Sequence, residues 1–185
     1  MPRLYLLRHG EPSGNWGQSA DPDPGLTELG RKQAESAGER LAKTPPKLIV
    51  SSPLRRARET AIPLARMMGV EAKIAEAVAE IPTPASVPFA QRADWLRNLM
   101  MGEWGAADPS LQAWRNGVVA YLASLQDDTA IFSHFVAINV ALGAAIGDDR
   151  VVCFRPAHAS ITVLEAKGRA ISLVELGETA DTAVR

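Results

Sequence analysis

The stretch RLYLLRHG, residues 3–10, decides how this chain is expected to fold. Its first five residues are mostly apolar and have the length of a short buried strand. Two basic side chains, Arg8 and His9, follow that strand directly. A loop rich in glycine, proline and aspartate comes next and extends to Gly25. Polar side chains at the end of a buried strand are typical of ligand sites in α/β proteins.

Strands and helices alternate along the rest of the chain. Further strands are predicted at 47–51 and 130–132, a weak one at 71–75, and a hairpin of 160–165 with 170–175 around the Lys167-Gly168 turn. Helices are predicted at 29–43, 54–68, 89–99, 111–125 and 136–146, and Pro63 should kink the second helix. This alternation predicts an α/β sandwich with a mostly parallel sheet.

Length and charge limit the possible functions. A chain of 185 residues is long enough for one full core, so we expect a single domain over residues 1–185. The 20 Lys and Arg residues balance 21 Asp and Glu residues, which argues against a nucleic-acid partner. Cys153 is the only cysteine, so an intrachain disulfide or a cysteine-based zinc cluster is excluded.

One uncharged stretch, residues 129–147, has the length of a membrane span. Its β-like start and its internal Ser133, His134 and Asn139 favour a buried strand followed by a buried helix. The apolar run at the N-terminus is too short for a secretory signal. We therefore expect no membrane contact and a cytoplasmic location.

Polar residues recur at the ends of three predicted strands. Arg8 and His9 follow the first strand, Arg56 follows the second, and Ser133 and His134 follow the third. Ligands of open α/β sheets bind beyond the carboxyl ends of the strands, so these groups should meet at one edge. Arginines at helix N-termini suit a compact anion such as phosphate. A neutral imidazole beside them is a competent nucleophile, which predicts transfer through a phosphohistidine.

Four blocks of this sequence resemble the histidine phosphatase superfamily, also called phosphoglycerate-mutase-like proteins. They are residues 6–11 (LLRHGE), 26–34 (LTELGRKQA), 51–61 (SSPLRRARETA) and 132–134 (FSH), in the family's order. Pattern and resemblance together imply a three-layer sandwich around a central, mostly parallel mixed sheet of about six strands.

The resemblance also implies roles for particular residues. His9 would be the phosphorylated nucleophile, Arg8 and Arg56 would bind the phosphoryl oxygens, and His134 would complete the phosphate pocket. Glu80 would protonate the leaving oxygen and then activate water. No metal or other cofactor is implied.

Two further residues are expected to bind substrate. Asn15 matches a family asparagine that contacts phosphate, and Phe135 stands where glycine usually follows the second histidine. Asn139 stands where many members have arginine. A Pro- and Trp-rich insertion around residues 82–110 is expected to cover the site, although ordinary packing would also explain its tryptophans.

Competing interpretations exist for other polar residues. Glu76 and Glu103 compete with Glu80 as the acid. His158 is expected to be structural, because no partner for it is evident in the sequence. Arg55 and Arg58 are expected to be solvated or ion-paired, with Arg58 open to a substrate contact.

The leading functional hypothesis is a metal-independent phosphatase that hydrolyses phosphate monoesters through phospho-His9. A phosphoglycerate mutase is the alternative enzyme, and a weakly catalytic phosphate-binding or regulatory module is the alternative from another class. A small phosphorylated metabolite is the expected partner, and a phosphoprotein remains an alternative.

Overall fold

The computed structural model describes residues 1–14 and 21–180. The strands are β1 (Arg3–Arg8), β2 (Leu48–Ser51), β3 (Lys73–Ile74), β4 (Thr129–Ser133), β5 (Ile161–Lys167) and β6 (Ala170–Glu175). The α-helices are α1 (Glu28–Ala42), α2 (Arg55–Met68), α3 (Arg92–Met100), α4 (Pro109–Ser124) and α5 (Phe135–Ile146). Short 3₁₀ turns lie at Glu76–Val78, Phe89–Gln91 and Trp104–Ala106.

The six strands form one mixed sheet in the order β3-β2-β4-β1-β5-β6. The strands β1 to β4 are parallel, β5 is antiparallel to β1, and β6 pairs with β5 as the predicted hairpin. Gly168 has a φ of 63° in that turn, a conformation that glycine adopts without strain. The predicted α/β class, the mixed sheet and its six strands are confirmed.

Two apolar cores lie on opposite faces of the sheet. Successive side chains of β1 point to opposite faces, so Leu4 and Leu6 enter one core while Tyr5 and Leu7 enter the other. The first core includes side chains of α4 and α5, and the second includes side chains of α1 and α2. A strand covered on both faces must be apolar throughout, which explains the unbroken LYLL run.

The clearest difference from the sequence-based prediction is a strand. The strand predicted at 71–75 is only two residues long, and it forms an edge of the sheet. The helix α2 runs unbroken through Pro63, whose side chain is buried against Gly38 of α1. The uncharged stretch 129–147 is indeed a buried strand and helix. Among residues 1–14 and 21–180, no helix is both long and apolar enough to cross a membrane.

The loop after β1 is fixed to the start of α1. Thr27 caps this helix: its Oγ1 accepts from the backbone N–H of Gly30 at 2.9 Å and donates to Glu11 Oε2 at 2.8 Å. Gly10 packs directly on Gly30, and a Cβ placed on Gly10 would lie 2.5 Å from the Gly30 carbonyl oxygen. Glycine is therefore required at the position that follows His9.

Candidate active site

Three strand ends bring the basic motifs together. The backbone N–H of His9 donates to the Ser133 carbonyl at 3.0 Å, and that of Ser52 donates to the Phe132 carbonyl at 2.9 Å. These bonds extend the pairing of β1 and β2 with β4 by one residue beyond the ends of β1 and β2. As a result, the rings of His9 and His134 are 5.2 Å apart.

His9 is held in one tautomer. Its Nδ1 lies 2.8 Å from the Gly10 carbonyl oxygen, and only a protonated nitrogen can donate to a carbonyl. Nε2 is therefore unprotonated, and it accepts a hydrogen bond from Arg56 Nε at 3.3 Å. Burial, with the nearby His134, Arg56 and Arg8, places the pKa of His9 well below its usual value. His9 thus presents a neutral Nε2 near neutral pH, as a nucleophile requires.

Arg8 is a buried cation with a fixed orientation. Its Nη1 donates to the Pro156 carbonyl at 2.9 Å, and its guanidinium carbon lies 5.3 Å from the centre of the Phe135 ring. Burial lowers the pKa of Arg8 to about 10, against the influence of Glu80. Arg8 Nε is buried and has no hydrogen-bond partner among the described residues. This donor is suited to an anion.

His134 is fully buried between two motifs. Its Nε2 forms a 2.8 Å hydrogen bond with Ser52 Oγ, and its Nδ1 lies 4.0 Å from Glu80 Oε2. Burial and the charges of Arg56 and Arg8 place the pKa of His134 well below the usual value, so the ring is neutral. Within the described part of the chain, Nδ1 has no hydrogen-bond partner.

Glu80 is a buried carboxyl, and burial favours its protonated form. Burial raises its pKa, although the Ile81 N–H, which donates to Oε1 at 3.0 Å, and the charges of Arg56 and Arg8 oppose this rise. A proton-donating acid near neutral pH needs such a raised pKa. Glu80 therefore fits an acid–base role.

Arg56 connects His9 to the start of α2. Burial lowers the pKa of Arg56, whereas Glu80 and Asp23 raise it. Asp23 accepts from the Arg55 backbone N–H at 2.9 Å, and its Oδ1 lies 4.0 Å from Arg56 Nη1. The guanidinium thus remains cationic beside the nucleophilic nitrogen.

Three buried hydroxyl groups join the site's loops, and the sequence pattern pointed to Ser133 alone among them. Thr60 Oγ1 accepts from the Gly10 N–H at 3.0 Å and donates to the Arg56 carbonyl at 2.7 Å. Ser133 Oγ donates to the Val78 carbonyl at 2.7 Å, which fixes the turn before Glu80. Ser52 holds His134, as described above. Thr60 and Ser52 lie inside the 51–61 block, and their place in that block was the available signal.

His158 lies close to His9, although the sequence offered no partner for it. The two ring centres are 5.8 Å apart. Burial lowers the pKa of His158 to about 4, and the Arg8 charge acts in the same direction. His158 lines a surface groove beside α1 and not the pocket described next. The loop 155–160 brings His158 close to His9. This loop is joined to the end of β1, because the Ala159 N–H donates to the Arg8 carbonyl.

A pocket opens beside these groups. Its described lining has a polar part formed by Arg8, His9, Arg56 and Glu80. The rest of the lining consists of one glycine and six apolar residues: Pro12, Gly14, Pro24, Leu96, Met100, Phe135 and Val136. Leu96 and Met100 belong to the 82–110 segment. Trp104 of the same segment is instead buried in the core beside Trp114, with 6.1 Å between ring centres.

The remaining predicted residues occupy varied positions. Asn15 lies outside the described residues. Asn139 is a structural link, since its Nδ2 donates to the Phe135 carbonyl at 2.9 Å and its Oδ1 accepts from the Cys153 and Phe154 N–H groups. Arg55 pairs with Glu59 at 2.7 Å on the surface. Arg58, Glu76 and Glu103 are exposed.

The site defines a class of protein, and comparison with known families agrees. The model of the histidine phosphatase superfamily (branch 1) matches residues 4–179. This chain therefore belongs to the histidine phosphatase superfamily, as its sequence motifs predict.

Particular relatives are phosphatases. The glucosyl-3-phosphoglycerate phosphatase of Mycobacterium tuberculosis is 46% identical over 74 residues, which are 39% of this chain and 33% of that protein. A solved structure of the mycobacterial glucosyl-3-phosphoglycerate phosphatase has a TM-score of 0.66 and 27% identity over 88% of this chain and 89% of that one. The phosphoserine phosphatase of Entamoeba histolytica has a TM-score of 0.76 and covers 97% of this chain and 98% of that one. At 22% identity it supports the fold alone.

Proposed function

We propose that this chain is a phosphatase that hydrolyses phosphate monoesters through a phosphohistidine on His9. The observation that supports this most strongly is the tautomer of His9, which leaves Nε2 unprotonated. Its Nδ1–H donates to Gly10, its neutral Nε2 accepts from Arg56, and the Arg8 charge and the His134 ring lie nearby. The relatives named as phosphatases point in the same direction.

In the first step, the lone pair of His9 Nε2 attacks phosphorus while the bond to the ester oxygen breaks. Glu80 gives its proton to that oxygen, so an alcohol leaves. Arg8, Arg56 and His134 donate hydrogen bonds to the phosphoryl oxygens. These bonds stabilise the negative charge that the oxygens carry in the transition state. The bond from Nδ1–H to the Gly10 carbonyl stabilises the positive charge that develops on the imidazole.

In the second step, a water molecule attacks the phosphoryl group and gives a proton to the Glu80 carboxylate. The P–N bond breaks, its electron pair returns to Nε2, and inorganic phosphate leaves. Glu80 is protonated again, and the enzyme is restored. Its raised pKa allows it to act as acid and base in turn.

The substrate we propose is a small phosphorylated molecule and not a phosphoprotein, because Leu96 and Met100 of the 82–110 segment form a wall of the pocket. A phosphate contact from Asn15 and a cytoplasmic location stay predictions. A regulatory module that only binds phosphate would not need a buried carboxyl of raised pKa in the same pocket as the nucleophile.

Phosphoenzyme formation tests this mechanism. Wild type with p-nitrophenyl phosphate and EDTA should release nitrophenolate and yield acid-labile, base-stable phosphate on the protein. His9→Ala should do neither, whereas His158→Ala, which removes a histidine outside the pocket, should still be labelled. Turnover by His9→Ala would exclude this mechanism, and wild type that binds phosphate without labelling would indicate a binding module.

The mutase alternative predicts a different requirement. A mutase retains the phosphoryl group and needs a bisphosphate primer to interconvert phosphoglycerates. We expect hydrolysis without a primer and no interconversion of 2- and 3-phosphoglycerate by ³¹P NMR. Interconversion that depends on the primer would replace the phosphatase assignment.

A further inference from the structure

The pocket combines a polar phosphate end with an apolar remainder. The polar end is the cluster of Arg8, His9, Arg56 and Glu80, and the other described lining side chains are all apolar. An alcohol group attached to the phosphate would lie against these apolar residues. The apolar character of these residues should therefore determine which alcohol groups the pocket accepts.

From this arrangement we propose that the site prefers phosphate monoesters of apolar alcohols, such as aryl, benzyl or medium-length alkyl phosphates. This inference rests on the proposed function and specifies its substrate class. It differs from the polar metabolites after which the relatives are named. Burial of each methylene against such a wall would improve binding roughly fourfold.

Phe135 forms a rigid part of the wall. Its side chain is 4% exposed, and its ring lies against the Arg8 guanidinium. The Asn139 side chain holds the Phe135 carbonyl at 2.9 Å, which fixes the first turn of α5. The ring therefore cannot move aside without disturbing Arg8, the arginine that would bind the phosphoryl group.

The helix α3 turns its apolar side to the same pocket. Leu96 and Met100 are four residues apart, so they lie on one face of this helix. Both pack against the core and line the pocket. Asp94 and Arg97 pair with each other at 2.6 Å and are 70% exposed, on the solvent side. This helix thus offers the substrate no charge from its central turns.

The described lining offers an acidic alcohol group no cation beyond those of the phosphate end. Arg8 and Arg56 are the cations among the described lining residues, and both face the phosphoryl position. Arg92 is close enough to affect Glu80 and Arg56, but it is not part of the described lining. A substrate carboxylate would be desolvated against apolar side chains, at a cost.

A substrate series tests this preference without changing the type of leaving group. The esters are n-butyl, n-hexyl and benzyl phosphate, compared with sn-glycerol 1-phosphate, O-phospho-L-serine and 3-phosphoglycerate, all esters of primary alcohols. We expect kcat/KM to rise with chain length and the polar esters to fall at least about tenfold below benzyl phosphate. Equal or better turnover of the polar esters would overturn the inference.

Adjacent methionines provide a matched pair of variants. Met100→Gln should lower kcat/KM for benzyl phosphate several-fold more than kcat/KM for O-phospho-L-serine, because only the benzyl group gains from an apolar wall. Met101 is 80% exposed and lies outside the pocket lining, so Met101→Gln should change none of these values. Equal effects of both variants, or no effect of Met100→Gln on the apolar ester, would contradict the assigned wall.

Phosphonate binding separates this inference from the proposed function. Benzylphosphonate and 3-phosphonopropionate cannot be hydrolysed, so calorimetry on the wild type reports their affinities whether or not the site turns over esters. Tighter binding of benzylphosphonate supports the apolar preference even if no phosphoenzyme forms. Turnover of monoesters together with equal affinity for both phosphonates would leave the phosphatase intact and remove the preference.

Discussion

Glu80 shows at the scale of a single residue how burial creates chemistry. In the sequence it is one of several glutamates near a Pro-rich segment. In the structure its carboxyl lies beside the Ile81 N–H and 4.0 Å from His134 Nδ1, and burial raises its pKa. Glu76 and Glu103 are exposed and have no such setting. The structure therefore favours Glu80 as the acid.

Replacing Glu80 with glutamine should separate the two chemical steps. Nitrophenolate leaves without a proton, so Glu80→Gln should release a burst of it equimolar with enzyme and accumulate phosphoenzyme. Steady-state turnover should fall by about 10²–10⁴ because water is no longer activated. Rapid-quench kinetics measure both. The control is Glu76→Gln, which should turn over normally, and a Glu80→Gln enzyme with unchanged turnover would contradict the role.

Short hydrogen bonds set the geometry of the site at the scale of elements. Thr60 in α2 contacts both the loop after β1 and its own helix, and thereby relates His9 to Arg56. Ser133 at the end of β4 fixes the turn that precedes Glu80. We therefore expect Thr60 and Ser133 to be positioning residues, since each bonds the backbone of a segment that carries a site residue.

Thr60→Val tests this positioning against simple loss of stability. Valine keeps the volume but leaves the Gly10 N–H without its acceptor, so kcat should fall roughly tenfold or more with little change in KM. Thr129→Val is the matched control, because Thr129 is equally buried and its hydroxyl donates to the Asp127 carbonyl. Each substitution should cost about 1–2 kcal/mol of unfolding free energy. Equal kcat values in the two variants would exclude positioning by Thr60.

All three histidines of the chain lie in one cluster, and their protonation affects the stability of the whole molecule. His9 is 5.2 Å from His134 and 5.8 Å from His158 between ring centres. The pKa of each is lowered, to about 4 for His158 and well below the usual value for the other two, with burial as the main cause. The unfolded chain therefore binds more protons than the folded one below about pH 6.5.

Stability should consequently decrease on mild acidification. A lowered folded pKa means that stability is complete above the unfolded value and is lost as the pH falls towards the folded value. Between about pH 6.5 and 5.5 each histidine should remove about 1 kcal/mol. The raised pKa of Glu80 acts in the opposite direction. Denaturant unfolding at several pH values measures the net loss, which His158→Asn should reduce. Constant or rising stability would contradict the prediction.

The predicted helices and strands agree best with the structure where a local sequence pattern determines them. The helix predicted at 29–43 is α1, and the predicted Lys167-Gly168 turn joins β5 to β6. The edge strand β3 is shorter than predicted, because an edge strand has one neighbour and little burial to extend it. Pro63 lies inside α2, as the sequence predicts, and its ring packs against α1 beside Gly38. Tertiary contact decides the length of β3.

The sequence alone determined the family, the alternation of strands and helices, and the basic groups at three strand ends. These features follow from local side-chain patterns and from motifs read along the chain. The tertiary structure alone decided the tautomer of His9, the neutral state of the histidines, the proximity of His158 and the apolar wall formed by Phe135 with α3. Each of these depends on burial or on contact between residues distant in sequence, because desolvation and packing are properties of the assembled fold.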